Sequence, residues 1–253
     1  MLAGPVIALV GVVGAVAVNT ASFAASVLSL ALVRHREPAH NEVRSTRMRR
    51  DIAEGLRFAA SHPVLQPVLA CGTTYVIFLG MVETSLVLYL RNVLHLSPQW
   101  IGIVIGAAAA GYPIGNLLST RLADRLGAPR ALMLAATISV TGIVAMPAFG
   151  SLGGGRGAAG LVLGSIVHCI GEGAFNPTSV TVRQTAAPPE LLGRTNGVQR
   201  FLLAGAVALG ALLAAGTTAA IGLAGTVWIG GLGTVLCLPA LARRGVLAAL
   251  VRR

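Results

Sequence analysis

The chain has 253 residues, 55% of them hydrophobic and 11% charged, with a mean hydropathy of +0.80. A water-facing globule usually carries about a quarter charged residues, so this composition excludes one and calls for lipid as the solvent. The formal net charge of +11 is spread between apolar runs rather than gathered in one patch, which excludes a nucleic-acid partner.

Residues 1–11 are apolar but too few to cross a hydrocarbon core of about 30 Å. They are expected to be the remnant of a truncated helix. Residues 12–33 form the first full transmembrane helix, ending at Arg34-His35-Arg36. A polar segment, residues 34–63, follows as a linker. Within it Asp51 to Ser61 reads as an amphipathic helix lying on the membrane surface, with Ile52, Leu56, Ala59 and Ala60 near one face.

A bundle of six spans is expected over residues 64–242: 64–90, 99–122, 130–149, 158–182, 197–218 and 225–242. Residues 243–253 form a tail. The expectation is therefore an all-α, multi-pass membrane protein of about seven transmembrane helices.

Every basic residue is arginine, 19 in all. Seven fall from Arg34 to Arg57, three from Arg121 to Arg130, three from Arg183 to Arg200 and four from Arg243 onward. Only Arg91 and Arg156 occupy the alternate loops. Cytoplasmic loops are enriched in Arg and Lys, so the Arg-rich loops and the C-terminus are expected to be cytoplasmic in a cell membrane.

Small residues recur at helix-contact spacing. Gly102, Gly106 and Ala110 make one stripe, and Gly111 with Gly115 makes a second. Such stripes let membrane helices approach closely and gain dispersion contact. Cys71, Cys169 and Cys237 each sit alone inside an apolar run, as packing residues rather than metal ligands. No metal or other cofactor is expected.

Ionisable groups within the spans are costly, roughly 2.5–3.5 kcal/mol for a carboxylate at the bilayer centre, and normally face a bundle interior or water. Glu83 lies in the outer half of the 64–90 span. Glu172 lies near the middle of the 158–182 span, with His168 one turn earlier on the same helical face. A histidine and a glutamate at this spacing can share a proton or bind a polar substrate, or simply satisfy each other. Asn176-Pro177 interrupts the same span, where proline frees a carbonyl. No zinc pair, nucleophile elbow or phosphate loop is present, so no enzymatic activity is expected.

Across nearly its whole length the chain resembles the major facilitator superfamily, in particular the efflux branch of siderophore and macrolide exporters. The resemblance is carried by Gly4-Pro5, Ala21-Ser22-Phe23, Glu54-Gly55-Leu56-Arg57-Phe58 and His62-Pro63-Val64-Leu65. It continues through Gly171-Glu172-Gly173 with Asn176, Arg183-Gln184, and Leu191-Leu192-Gly193-Arg194-Thr195-Asn196 with Arg200-Phe201. The loop Asp124-Arg125-Leu126-Gly127-Ala128-Pro129-Arg130 is similar to the superfamily's gating-loop motif, with Thr120 in place of its leading glycine.

The resemblance implies that the chain corresponds to the C-terminal half of such a transporter, from part of the fifth helix to the twelfth. It implies a cavity lined by the helices carrying Glu83 and the His168–Glu172 pair, with Asn176 beside them. It also implies gating by Asp124, Arg125, Gly127 and Arg130. The expected function is proton-coupled efflux of small amphipathic molecules by alternating access. The expected partners are the lipid bilayer, the small-molecule substrate, protons, and a missing N-terminal half or a second copy. The alternative is a truncated, non-transporting fragment or a structural half that needs a partner chain.

Overall fold

The computed structural model describes residues 3–32 and 48–242. The expected tail at 243–253 and the part of the linker from 33 to 47 lie outside the described residues. The chain divides into two units, residues 1–46 and residues 47–253.

The first unit contributes one helix, α1 (Ala3–Ala31). The expected division between residues 1–11 and 12–33 does not appear as a break in it. Its one proline, Pro5, sits in the first turn, where it is tolerated, and an isolated glycine such as Gly11 or Gly14 costs a helix only about 1 kcal/mol.

The second unit starts with α2 (Met48–Ser61). The face that packs on the bundle centres on residues other than Leu56 and Ala60 of the face expected to lie on the membrane. Gly55 and Ala59 are buried, whereas Leu56 is 47% exposed and Ala60 is also exposed. The reason is close approach. A side chain on Gly55 would meet the Cβ of Arg194 at 3.0 Å, and the Arg194 guanidinium donates to the Glu54 carboxylate at 2.6 Å. Helix α2 therefore leans on the polar start of α7 through its smallest residues.

Beyond α2, the Nδ1 atom of His62 accepts the N–H groups of Val64 (3.2 Å) and Leu65 (3.3 Å). That caps the start of α3 (Leu65–Asn92). Helices α4 (Pro98–Leu126), α5 (Ala128–Gly150) and α6 (Gly154–Ala186) follow. Proline opens α4 at its first position, where its missing N–H costs nothing. Gly127 separates α4 from α5 at φ 76°, ψ 153°, a conformation that a side chain resists.

The last two expected spans form one helical element, α7 (Pro189–Gly233), continued by a 3₁₀ turn (Thr234–Cys237) and α8 (Leu238–Ala242). By length and composition, five helices among the described residues can cross a membrane, and this 54-residue stretch is one of them. A straight helix of that length would run about 80 Å. It does not run straight, because Gly222 adopts φ 77°, ψ 173°. The arms on either side fold back, and Thr226 Oγ1 lies 3.1 Å from Thr217 and 3.0 Å from Thr218. The same part of α3 touches both arms: Gly80 packs on Gly210, and Phe78 on Gly230 and Gly233.

Two apolar clusters fill the bundle. One gathers Val68, Cys71, Leu132, Val140, Val182 and Leu241; the other gathers Leu79, Leu90, Val104, Ile143, Leu161 and Val227. Tyr75 packs against both. Between membrane helices the gain is dispersion rather than expulsion of water, so glycine governs how closely α6 nests. Gly142 on α5 faces the backbone of His168 and Gly164, and Gly173 on α6 faces Tyr112 of α4.

Candidate functional site

Where the two clusters meet, the polar groups of three helices converge. Tyr75 comes from α3, Ser139 from α5, and His168 with Glu172 from α6. Ser139 is reached because α5 and α6 touch at Gly171, where an added side chain would strike the Ser139 backbone.

The contacts form a short chain. Tyr75 Oη lies 2.6 Å from Ser139 Oγ, and Ser139 Oγ lies 2.9 Å from His168 Nδ1. Tyr75 Oη is also 3.1 Å from the same nitrogen. On the other side of the ring, His168 Nε2 is 3.5 Å from Glu172 Oε2. One assignment of hydrogens satisfies every atom. Tyr75 donates to Ser139, Ser139 donates to Nδ1, and Nε2 carries the hydrogen that faces the carboxylate.

Burial is graded along this chain. The His168 side chain is 8% exposed and that of Glu172 is 23% exposed. The carboxylate is flanked by Tyr112 of α4 and Asn176, and Asn176 Nδ2 donates to Tyr112 Oη at 3.4 Å. Among the described residues, no buried side-chain nitrogen or oxygen lacks a partner. An unmet polar group at this depth would cost several kcal/mol.

Glu172, Asn176, Tyr75 and Ser139 line a cavity of about 70 Å³ that also touches Gln199 of α7 and Cys237. Glu172 opens on this cavity beside Tyr75 and Ser139, while His168 is not part of its lining. The arrangement can hold a proton on the carboxylate and release it to the cavity without disturbing the buried hydroxyls.

The remaining expected residues are placed as follows. Glu83 is exposed on α3, within electrostatic range of Glu172. Asp124 and Arg125 end α4, Gly127 forms the turn and Arg130 lies in the first turn of α5. All four are exposed. Gly111 and Gly115 press on the α6 backbone at Ile166, Ile170 and Ala174, whereas Gly102 and Gly106 have nothing within 4 Å of an added Cβ. No group of three or more His, Cys, Asp or Glu that could hold a metal occurs among the described residues.

Sequence reasoning did not single out Tyr75, Ser139 or Tyr112. A signal existed for the tyrosines. The chain has only three, and a phenol inside an apolar span needs a hydrogen-bond partner. Ser139 carried no comparable signal.

The family model for the Major Facilitator Superfamily matches residues 1–153 and 68–251. The multidrug efflux pump Tap of Mycobacterium bovis (strain BCG / Pasteur 1173P2) is 29% identical over 242 residues, covering 89% of this chain and 52% of the pump. Tap of Mycobacterium tuberculosis (strain ATCC 25618 / H37Rv) matches at the same identity and coverage. The chain spans about half the length of these curated relatives. No solved structure matches.

Proposed function

The chain belongs to the Major Facilitator Superfamily, and we propose that its six-span unit forms the C-terminal half of an efflux carrier that exchanges small amphipathic molecules for protons by alternating access. The observation that carries this reading is Glu172 on the cavity wall, paired with His168, whose other ring nitrogen meets Tyr75 and Ser139 of the same wall. A carboxylate inside a span is costly and marks a substrate or ion path by default. Among the described residues it has no arginine within ion-pair distance, and it is open on one side, which is what a group that must load and unload a proton requires.

In the proposed cycle Glu172 takes a proton when the cavity faces one side and yields it on the other. Substrate and proton alternate on the wall formed by Glu172, Asn176 and, further along α3, Glu83. Asp124, Arg125 and Arg130 latch the cytoplasmic face around the Gly127 turn. The cytoplasmic placement of this loop and of the C-terminus rests on the arginine distribution.

Cavity size supports a second set of walls. A volume of about 70 Å³ holds on the order of two waters, whereas a drug-sized ligand needs roughly 300–1,000 Å³. The substrate would therefore lodge between this bundle and a second one, on the same polypeptide or on a partner chain.

The test is Glu172→Gln in the complete carrier, with drug export from everted vesicles followed across a pH series. Glutamine keeps the shape and cannot titrate, so export is expected to fall at least tenfold and its dependence on the proton gradient to vanish. Unchanged export with unchanged pH dependence would remove Glu172 from the coupling. The competing reading is a structural half that does not itself transport. It is favoured if the reconstituted chain moves no substrate alone but cross-links to a second bundle in membranes.

A further inference from the structure

The proposed cycle leaves two nucleophiles of the Glu172 cavity unused. Cys71 on α3 and Cys237 at the end of the 3₁₀ turn both line it. Both are free thiols, 1% and 0% exposed, and both belong to the apolar cluster around Leu132 and Val140. Each sits alone in its own apolar run of sequence, and the fold makes them a pair whose side chains hydrogen-bond to each other. The turn is brought onto α3 at Gly233, where an added side chain would strike the Phe78 ring. The pairing is therefore made inside this bundle and does not depend on a second one.

Two adjoining thiols are a chelate for a soft, thiophilic centre, and the surroundings narrow the choice. Zinc takes four ligands, and no third His, Cys, Asp or Glu joins the pair among the described residues. A monovalent ion such as Cu(I) between two thiolates leaves a net negative charge, which is costly in apolar surroundings. Arsenic(III) carrying one organic group leaves no charge. It is also pyramidal, so it holds two sulfurs close together on one side, as the hydrogen-bonded pair already places them. Mercuric ion is neutral with two thiolates too, but it prefers its sulfurs on opposite sides.

Size and access agree with a small arsenical. A cavity of about 70 Å³ holds on the order of two waters, which is room for arsenic with a methyl group. Glu172, with its side chain 23% exposed, marks the open side of the same wall. Under the function proposed above, a second bundle would enclose this space as a compartment that admits molecules. The pair is reached in either case.

We propose that Cys71 and Cys237 form a dithiol site for small monoalkyl arsenic(III) compounds, holding the arsenic beside Glu172. With methylarsonous acid, each thiol sulfur bonds to arsenic and each arsenic–hydroxyl bond breaks. Each hydroxyl leaves as water with the proton of one thiol. Arsenic stays trivalent, so no oxidant or reductant is needed. Capture by the first thiol makes attack by the second intramolecular. Cys169, outside the cavity lining, can form only a single-thiol adduct. The site stands on thiol chemistry and holds whether or not Glu172 couples protons.

The chain, purified in detergent and kept reduced, is incubated with methylarsonous acid in excess glutathione. Uptake is read by native mass spectrometry and by thermal unfolding. Glutathione, a monothiol, strips single-thiol adducts but not a chelate. One methylarsenic group per chain is expected, displacing two hydrogens and raising the melting temperature because it ties α3 to the 3₁₀ turn. Dimercaptopropanol, a competing dithiol, should remove it. Cys71→Ser and Cys237→Ser should each weaken uptake at least tenfold, whereas Cys169→Ser should leave it unchanged. Cys71→Ala and Cys237→Ala repeat the test without a hydroxyl in the apolar cluster, and cooperative melting of each variant shows that it is folded. Uptake that survives loss of Cys71 or of Cys237 would overturn the proposal. So would uptake abolished by Cys169→Ser, or none by the unaltered chain in glutathione.

Discussion

Glycine at position 171 sets the distance across which the buried hydroxyl meets the imidazole, and Gly171→Ala tests that dependence. A Cβ built there lies 2.6 Å from the Ala135 carbonyl oxygen and 2.6 Å from Ser139 Cα, against the 3.4 Å at which ordinary contact begins. The Ser139 amide nitrogen is closer still, so the shortfall is at least about 0.8 Å, and the opposing atoms are backbone, so no side chain can rotate away. Helices α5 and α6 must part by a comparable amount. The Ser139–His168 bond, now 2.9 Å, would then stretch toward 3.7 Å, beyond useful hydrogen-bond range. Overpacking costs about 1–3 kcal/mol, and a lost interhelical hydrogen bond in a membrane adds about 0.6. The expected penalty is therefore about 2–4 kcal/mol, or on the order of 5–10 °C in melting temperature.

Gly106→Ala is the control on the neighbouring helix, because a side chain there meets nothing within 4 Å. Its effect should fall within about 0.5 kcal/mol. All three cysteines are free and buried, so a thiol-reactive dye reports unfolding of both variants without added labels. Equal melting temperatures for Gly171→Ala and Gly106→Ala would show that the α5–α6 spacing is not set at this glycine.

The two hydroxyls on His168 Nδ1 should prove redundant. Tyr75→Phe and Ser139→Ala each leave the ring nitrogen one partner and should cost about 0.5–1.5 kcal/mol, whereas the double variant leaves it none and should cost clearly more than the sum. A double-mutant cycle in the same unfolding assay decides this, and strict additivity would refute it. At the hairpin, Gly222→Ala forces a side chain into a backbone region reserved almost wholly for glycine, at about 1–3 kcal/mol. The same assay should show that loss, while Gly216→Ala, with open space around it, should not.

What was legible in the sequence follows from what each residue costs in lipid. Glu83 and Glu172 stand out within apolar spans because a carboxylate there is worth several kcal/mol. His168 is then found by its four-residue offset. The spans are legible for the same reason, down to the two that the structure joins through Gly222. The face of α2 was less legible. Helical periodicity groups Ile52, Leu56, Ala59 and Ala60 as a face toward the membrane, whereas the contact with Arg194 is made at Gly55, and steric room is not visible in a hydropathy pattern.

Ser139 marks the limit of such reading. A serine adds little cost to a membrane helix, since it can bond the carbonyl four residues earlier, as Thr137 does to Met133 at 2.8 Å. Nothing in one dimension therefore separates a serine that closes on its own helix from one that reaches across. The separation is made by Gly142 and Gly171, which bring α5 onto α6 so that a hydroxyl 29 residues away in sequence lies 2.9 Å from the ring. The charged end of the site was readable because charge is costly. Its neutral end depends on which glycines face which backbone, and that is a property of the fold. If the tautomer of His168 is set from that neutral end, then the proton chemistry proposed for Glu172 depends on helix spacing as much as on the two residues that reveal it.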